Sequence, residues 1–441
     1  MPLEFREALA SIDARGFGIK PDLSRIARLL ELLDDPQLAF PTIHISGTNG
    51  KTSTARMIGT ILAAHGLNTG IYTSPHLRSV RERMAIAAWD SSGLIWEEIS
   101  EEEFAATLYY LQPLIALVEA DLGQMTYFEV TTALAFDWMA ERSVGAGVVE
   151  VGLGGRWDAT NLVQSAIAVL TTVDVDHRPI LGSTRLENAK EKVDIVKPGA
   201  TVVSAVQAPD VRELLEGKAQ AEGARLVLSG RDFRLTSDET AVGGRLVGIQ
   251  TARARYEDLY LPLHGAHQSA NLALAVAAAE EFLGRPLDHR SLAAAVRAVT
   301  SPGRLEVVAR HPLVVLDGAH NPHAAAALAL AVQQEFRYRN LTSVVAISQD
   351  KDLEGILSKV VPMADRVIIS RFANARAADP EELALIASQY GKPVQVVPSL
   401  DDSVDLALST SSEEDLVLVT GSLYAVGEAR KHLARGLESR S

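Results

Sequence analysis

The 441-residue chain contains no cysteine. That absence excludes disulfides, thiolate-bound zinc, iron–sulfur ligation and a thiol nucleophile. Long apolar runs are missing too. Those around Leu272 to Ala279 and Ala324 to Val332 are the longest; they fall well short of the roughly 20 residues of a membrane span and read as buried helix. Positive charge is in deficit, with 42 Lys and Arg against 56 Asp and Glu for a net charge of −14. Such a field repels phosphate backbones and anionic lipid heads, so neither nucleic acid nor membrane is expected as a partner. Glu4, Arg6 and Glu7 stand where a secretory leader needs an apolar core, so a cytoplasmic protein acting on small molecules is expected.

What is present is the balance of a globular protein, 47% apolar and 22% charged. At about 150 residues per domain, two or three domains are expected. There is no internal repeat or low-complexity tract, so the chain divides by pattern. Thr42 to Ser46 is a strand-like run that breaks into a glycine-rich loop, and a helix follows from about Thr52 to His65. Further strand-like runs are Val148 to Val151, Ile167 to Val173 and Thr201 to Ala205, separated by helical stretches near Glu101 to Ala120 and Thr131 to Glu141. This alternation predicts an α/β fold with a doubly wound, mostly parallel sheet. Between Leu226 and Leu263 short alternating runs around Gly243 and Gly244 predict a small antiparallel addition. Helices over Gln268 to Phe282 and Ser291 to Val299 end in the turn-rich Thr300 to Gly303. The expected division is therefore an N-terminal domain over 1–300 and a smaller C-terminal α/β domain over 301–441. In the latter, runs at Leu313, Val344, Arg366, Val394 and Leu416 alternate with helical segments.

Gly47, Thr48, Asn49, Gly50, Lys51, Thr52 and Ser53 follow a strand and open a helix. Successive backbone N–H groups and the helix dipole then face one anion-sized hollow, with Lys51 as counter-charge, which is how a nucleoside triphosphate is held. The usual Walker spacing needs glycine at Ile45, so the loop is a shortened variant. It resembles the loop of the Mur-type amide ligases, which join an amino acid to a carboxylate using ATP. Within them it is similar to the folylpolyglutamate synthases, often bifunctional with dihydrofolate synthase.

Glu150 closes an apolar run beside this loop and precedes Gly152, Leu153, Gly154, Gly155, Arg156, Trp157, Asp158, Ala159, Thr160 and Asn161. A carboxylate at the carboxyl end of a parallel strand suits Mg²⁺. The glycines do not form a dinucleotide fingerprint, because Trp157 occupies the place of its third glycine. The segment resembles the second diagnostic motif of the folate ligases, and the resemblance implies metal binding by Glu150. It implies the same for Ser74, in Thr73 to Leu77, and for His177 after Asp176. Read without the resemblance, Ser74 is a turn residue before proline and His177 an isolated surface histidine. Lys192 lies fifteen residues after His177 and follows Glu191, a register that in the family carries a CO₂-modified, carbamylated lysine holding a second ion. Val193 and Asp194 depart from the Ala-Gly that usually follows, and a solvated helix lysine is the other reading. The resemblance further implies catalytic roles for Lys51, Lys192, His177 and His320.

Arg78, Arg81 and Arg83 follow the Ser74 turn; they suit a folate tail's carboxylates or form an ordinary charged loop. Phe128, in Thr126 to Glu129, stacks on a flat heterocycle or packs in the core. By resemblance Asn271 contacts adenine, Arg304 reaches ATP, Asp317 and His320 face the nucleotide from the second domain, and Ser422 binds substrate. Asn321 and Pro322 read as a helix cap and first helical residue. Lys351 and Tyr424 fall in family segments. The resemblance runs from Ile43 to about Glu428 and implies an ATP- and Mg²⁺-dependent, monomeric ligase adding L-glutamate to folate or dihydropteroate. A Mur-type ligase for another carboxylate and a non-catalytic ATP-binding regulator are the rival readings.

Overall fold

The computed structural model describes residues 4–16 and 21–438. The chain divides into two compact units, one of Met1–Ser237, Val247–Tyr260 and Ala270–Val299, the other of Asp238–Leu246, Leu261–Ser269 and Thr300–Ser441. In the first, β1 (Thr42–Ser46), β2 (Thr69–Tyr72), β3 (Met84–Asp90), β4 (Gly93–Glu98), β5 (Ala146–Glu150), β6 (Ser165–Leu170), β7 (Thr201–Ser204) and β8 (Arg225–Leu228) form one sheet ordered β4-β3-β2-β5-β1-β6-β7-β8. The β2–β3 and β3–β4 pairings are antiparallel and the remaining pairings are parallel. β1 is buried along its whole length between β5 and β6, so its carboxyl end opens at the centre of the sheet. Two expectations change here. β2, β3 and β4 extend the sheet where no strand was expected, and Arg225–Leu228 is a parallel edge strand of this sheet, not part of the antiparallel addition. Apolar alternation does not distinguish those two settings.

The addition itself consists of β9 (Arg234–Ala241), β10 (Gly244–Gln250) and β11 (Arg255–Leu261), in the order β11-β10-β9. Gly243 turns the first hairpin with φ +76°. Helix Lys51–Ala64 is buried over most of its length, and helix His289–Ala298 packs on it. Helix Tyr127–Glu141 starts at a reciprocal cap: the Thr126 hydroxyl accepts the Glu129 N–H and the Glu129 carboxylate accepts that of Thr126.

In the second unit, β12 (Glu306–Arg310), β13 (Leu313–Asp317), β14 (Leu341–Val345), β15 (Arg366–Arg371), β16 (Val394–Ser399) and β17 (Leu416–Thr420) form a sheet ordered β12-β13-β17-β14-β15-β16. Only β12 is antiparallel to its neighbour. β17, last in the chain, inserts beside β13, so the strand order reverses there and the loops after β13, β14 and β17 gather at one edge. That is where open α/β sheets bind ligands. Asn321 caps helix Pro322–Glu335 through the Ala324 N–H, with Pro322 at its first position, as expected. Among the described residues no helix is long and apolar enough to cross a membrane.

One glycine ties fold to site. A Cβ on Gly155 would lie 2.6 Å from the Glu191 carbonyl oxygen and 3.2 Å from that of Lys192, both backbone. Neither can rotate away, so Gly155→Ala is expected to lose about 1–3 kcal/mol, as overpacking a tight contact does. A urea midpoint shifted downward at unchanged slope would show it.

Candidate active site

The phosphate loop leaves β1 at Gly47 (φ +145°) and enters the helix at Gly50 (φ +88°). A side chain at Gly47 would sit 1.9 Å from Thr171 Oγ1, so only glycine fits. The Thr48 N–H donates to Thr172 O at 2.9 Å, and the Thr48 hydroxyl donates to Asp174 O at 2.8 Å, clamping the loop to the segment after β6. A Cβ on Gly50 would meet the Asn271 carboxamide at 2.6 Å, which places Asn271 against the loop. Asn49 and Ser53 flank the helix start, Asn49 donating its N–H to Thr172 O.

Two lysines converge on the Gly47 carbonyl oxygen: Lys51 Nζ at 3.2 Å and Lys192 Nζ at 3.1 Å. Lys192 is 4% exposed, so the solvated-lysine reading does not hold. Its helix, Arg185–Lys192, is pressed against Gly155, which brings the helix's end under the loop. Parallel pairing sets Glu150 level with Ile45, beside the loop. The Glu150 carboxylate accepts the Thr52 hydroxyl at 3.0 Å and the Ser74 N–H at 3.2 Å and is 1% exposed. His177 sits in the left-handed region (φ +51°) and starts the short helix Arg178–Leu181. A non-glycine residue held there is strained, a condition that collects at functional sites. Among the described residues no three His, Asp or Glu side chains form a metal-binding group. The donors gathered here, one buried carboxylate and two hydroxyl-bearing residues, fit Mg²⁺, which keeps waters and substrate phosphate as most of its ligands.

Beside Ser74, Arg83 is buried rather than part of a solvated loop. Its Nε donates to His76 Nδ1 at 2.9 Å and its guanidinium lies 5.2 Å from the Tyr127 ring. Burial, reinforced by Arg83, pushes the His76 pKa down to about 3 and keeps that ring a neutral acceptor. Tyr127 belongs to the core, and Phe128 abuts the Gly152 turn, where a Cβ would meet its ring at 2.5 Å.

Sequence patterns did not single out a network behind the glycine turn. Asp158 accepts the N–H groups of Leu153 (2.8 Å) and Thr160 (3.0 Å), and its burial raises its pKa. The Asp158-to-Thr160 spacing is that of an Asx turn, the one local signal available. Leu153 is five residues back in the same segment, whereas the Thr160 hydroxyl also meets His44, 116 positions away.

In the second unit, Asp317 ends β13 buried, accepts the N–H groups of Leu305 (2.9 Å) and Ala319 (2.8 Å), and has its pKa raised by burial. A Cβ on the next residue, Gly318, would lie 2.5 Å from Arg304 Nη1, so the Arg304 guanidinium crosses that backbone. His320 Nδ1 bonds the Gly318 carbonyl at 2.8 Å. Asp317 is level with Thr420 on β17, two residues before Ser422, whose buried hydroxyl accepts the Tyr424 N–H at 3.2 Å. Arg304, Asp317, His320 and Ser422 thus collect at the carboxyl edge of this sheet. Next to Lys351, Asp350 pairs with Arg376 at 3.2 Å, and Arg376 and Lys351 hold its pKa below the usual carboxylate range.

A shortened phosphate loop on a doubly wound sheet, followed by an α/β unit with polar groups at its carboxyl edge, defines an ATP-dependent amide ligase of the Mur type. Residues 303–423 match the Mur ligase, glutamate ligase domain family. The chain is 38% identical to the dihydrofolate synthase/folylpolyglutamate synthase of Mycobacterium tuberculosis, over 95% of this chain and 91% of that one. It is 33% identical to the Bacillus subtilis protein of the same name, over 95% and 96%. The M. tuberculosis folylpolyglutamate synthase complexed with ADP superposes with a TM-score of 0.92, covering 97% of this chain and 98% of that one at 38% identity. The chain belongs to the folylpolyglutamate synthase/dihydrofolate synthase family.

Proposed function

We propose that the chain adds L-glutamate to folate or dihydropteroate by way of an acyl phosphate, using ATP and Mg²⁺. A carboxylate is a poor electrophile toward an amine. Transfer of the γ-phosphoryl group to a carboxylate oxygen, with ADP leaving, makes an activated acid; the glutamate α-amine then attacks its carbonyl carbon, releasing phosphate and a proton. Such a reaction needs positive charge and pre-aimed N–H donors rather than a protein nucleophile, consistent with a chain that has no cysteine.

In this reading the N–H groups of Gly47 to Ser53 and the Lys51 ammonium bind triphosphate oxygens, and Asn271 orients the base. Glu150, Ser74 and His177 would hold the metal, with Lys192 as a carbamate for a second ion; bound there, Mg²⁺ offsets charge on the phosphates. Arg83 and Phe128 face the folate. Arg304 and Asp317 serve the nucleotide, His320 the reacting groups and Ser422 the substrate. The protein works as a cytoplasmic monomer.

The observation that carries this reading is the buried Glu150 carboxylate, 3.0 Å from the hydroxyl of Thr52 on the phosphate loop. Incubation with ATP, Mg²⁺, L-glutamate and either tetrahydrofolate or dihydropteroate is expected to release one phosphate per glutamate added, measured by phosphate assay and product mass. Nucleotide binding without glutamate-dependent phosphate release supports the regulator instead. Glutamate-independent turnover on another carboxylate supports a different amide ligase.

A further inference from the structure

Buried under the phosphate loop is an imidazole that none of the roles above uses. His44 lies mid-strand in β1, is fully buried, and places Nε2 2.8 Å from Thr160 Oγ1. Thr160 Oγ1 is in turn 2.5 Å from Asp158 Oδ1. The threonine has one hydrogen, and its short contact to a carboxylate commits that hydrogen to Asp158. Oγ1 therefore accepts from His44, so the proton sits on Nε2. Nδ1 is left as a buried acceptor with no hydrogen-bond partner. Burial, with Lys197 nearby, pushes the His44 pKa down to about 3, so the ring is neutral throughout the physiological range.

An unpaired buried acceptor destabilises a protein, and in a strand core flanked by Ile43 and Ile45 an aliphatic residue would fit without that cost. What the imidazole supplies is a tether. Asp158, at the far end of the relay, holds the Leu153 N–H and so shapes the turn that follows Glu150. Ser46, two residues along β1 and on the same face, donates to Gly154 O of that turn at 2.8 Å. β1 thus grips the glycine turn at two points just before it becomes the phosphate loop.

We propose that His44 is a positioning residue: its Nε2–H, relayed through Thr160 and Asp158, fixes the loop carrying Lys51 against the turn that follows Glu150. The proposal rests on the ATP-ligase reading for its kinetic consequence and on geometry alone for its tautomer. Gln places an amide N–H where Nε2 stands, whereas Asn places one only where Nδ1 stands. His44→Gln is expected to keep the KM for ATP within about twofold of wild type. His44→Asn is expected to raise it about tenfold, the worth of one net hydrogen bond, with kcat changed less. Thr160→Val should match His44→Asn, Thr160→Ser should resemble wild type, and the double variant His44→Asn/Thr160→Val should be no worse than Thr160→Val alone.

Nitrogen NMR of histidine-labelled wild-type protein reads the geometry independently of activity, and should show His44 as the Nε2–H tautomer without titration between about pH 5 and 9. An Nδ1–H tautomer, an imidazolium, or equal KM values for the Gln and Asn variants at equal thermal stability would overturn the proposal. Wild-type protein that lacks ligase activity yet shows the Nε2–H tautomer would sink the ligase reading and leave the hydrogen-bond assignment standing.

Discussion

Replacing Lys51 by alanine is expected to lower kcat for glutamate-dependent phosphate release by about 10²–10³-fold, the usual cost of removing one pre-aimed charge from a transition state. The lysine opens the helix at the base of the loop, and its ammonium touches two loop carbonyls, Gly47 O at 3.2 Å and Thr48 O at 3.4 Å. Carbonyl oxygens carry no full charge, so in the absence of nucleotide Lys51 is a cation held in place without an ion-pair partner among the described contacts. A triphosphate provides one. Because the side chain is only partly buried and its contacts are two hydrogen bonds at the loop's rim, thermal stability should move by no more than about 2 °C. Activity and stability therefore separate. Lys51→Met, which keeps the aliphatic stem and removes the charge, should behave like the alanine variant. Full turnover in either would remove the loop from the reaction.

The loop was readable because its backbone admits few alternatives. Gly47 at φ +145° against Thr171 and Gly50 at φ +88° against Asn271 leave room for nothing larger, so the glycines in the sequence report the geometry directly. The strand ending at Asp317 and the cap at Asn321 were legible for a similar reason: an apolar run, a capping side chain and a proline at the first helical position are local signals. What stayed hidden depends on pairing across distance. β2 has four residues and β4 is a half-exposed edge strand, so neither gives a long periodic signal. Lys192, between Lys190 and Lys197, has the neighbours of a solvated lysine, and the buried partner of its Nζ, the Gly47 carbonyl, is 145 positions away in the chain. The link between Arg83 and His76, and that between His44 and Thr160, involve polar residues whose partners no periodicity names.

Glu150→Gln should separate the metal reading from a purely structural one more sharply than any other change. The carboxylate is 1% exposed and accepts the Thr52 hydroxyl and the Ser74 N–H. A buried carboxylate at this position is a hard oxygen ligand of the kind Mg²⁺ takes. Glutamine preserves the volume and the acceptor for Thr52 while removing the charge. Were Glu150 there only to brace Thr52 and Ser74, the variant would keep activity and lose some stability, because its amide nitrogen cannot accept from Ser74. If it serves a divalent cation, the variant should show the same loss in the absence of metal but gain less thermal stability than wild type from Mg²⁺ with nucleotide. Its activity should fall about 10²–10³-fold, and the Mg²⁺ concentration for half-maximal rate should rise at least tenfold. The two readings thus predict opposite outcomes for turnover and for the stabilisation that Mg²⁺ gives. Thermal melts with and without Mg²⁺ and nucleotide, run beside an Mg²⁺ titration of phosphate release, decide between them, and an unchanged Mg²⁺ requirement would move the metal away from Glu150.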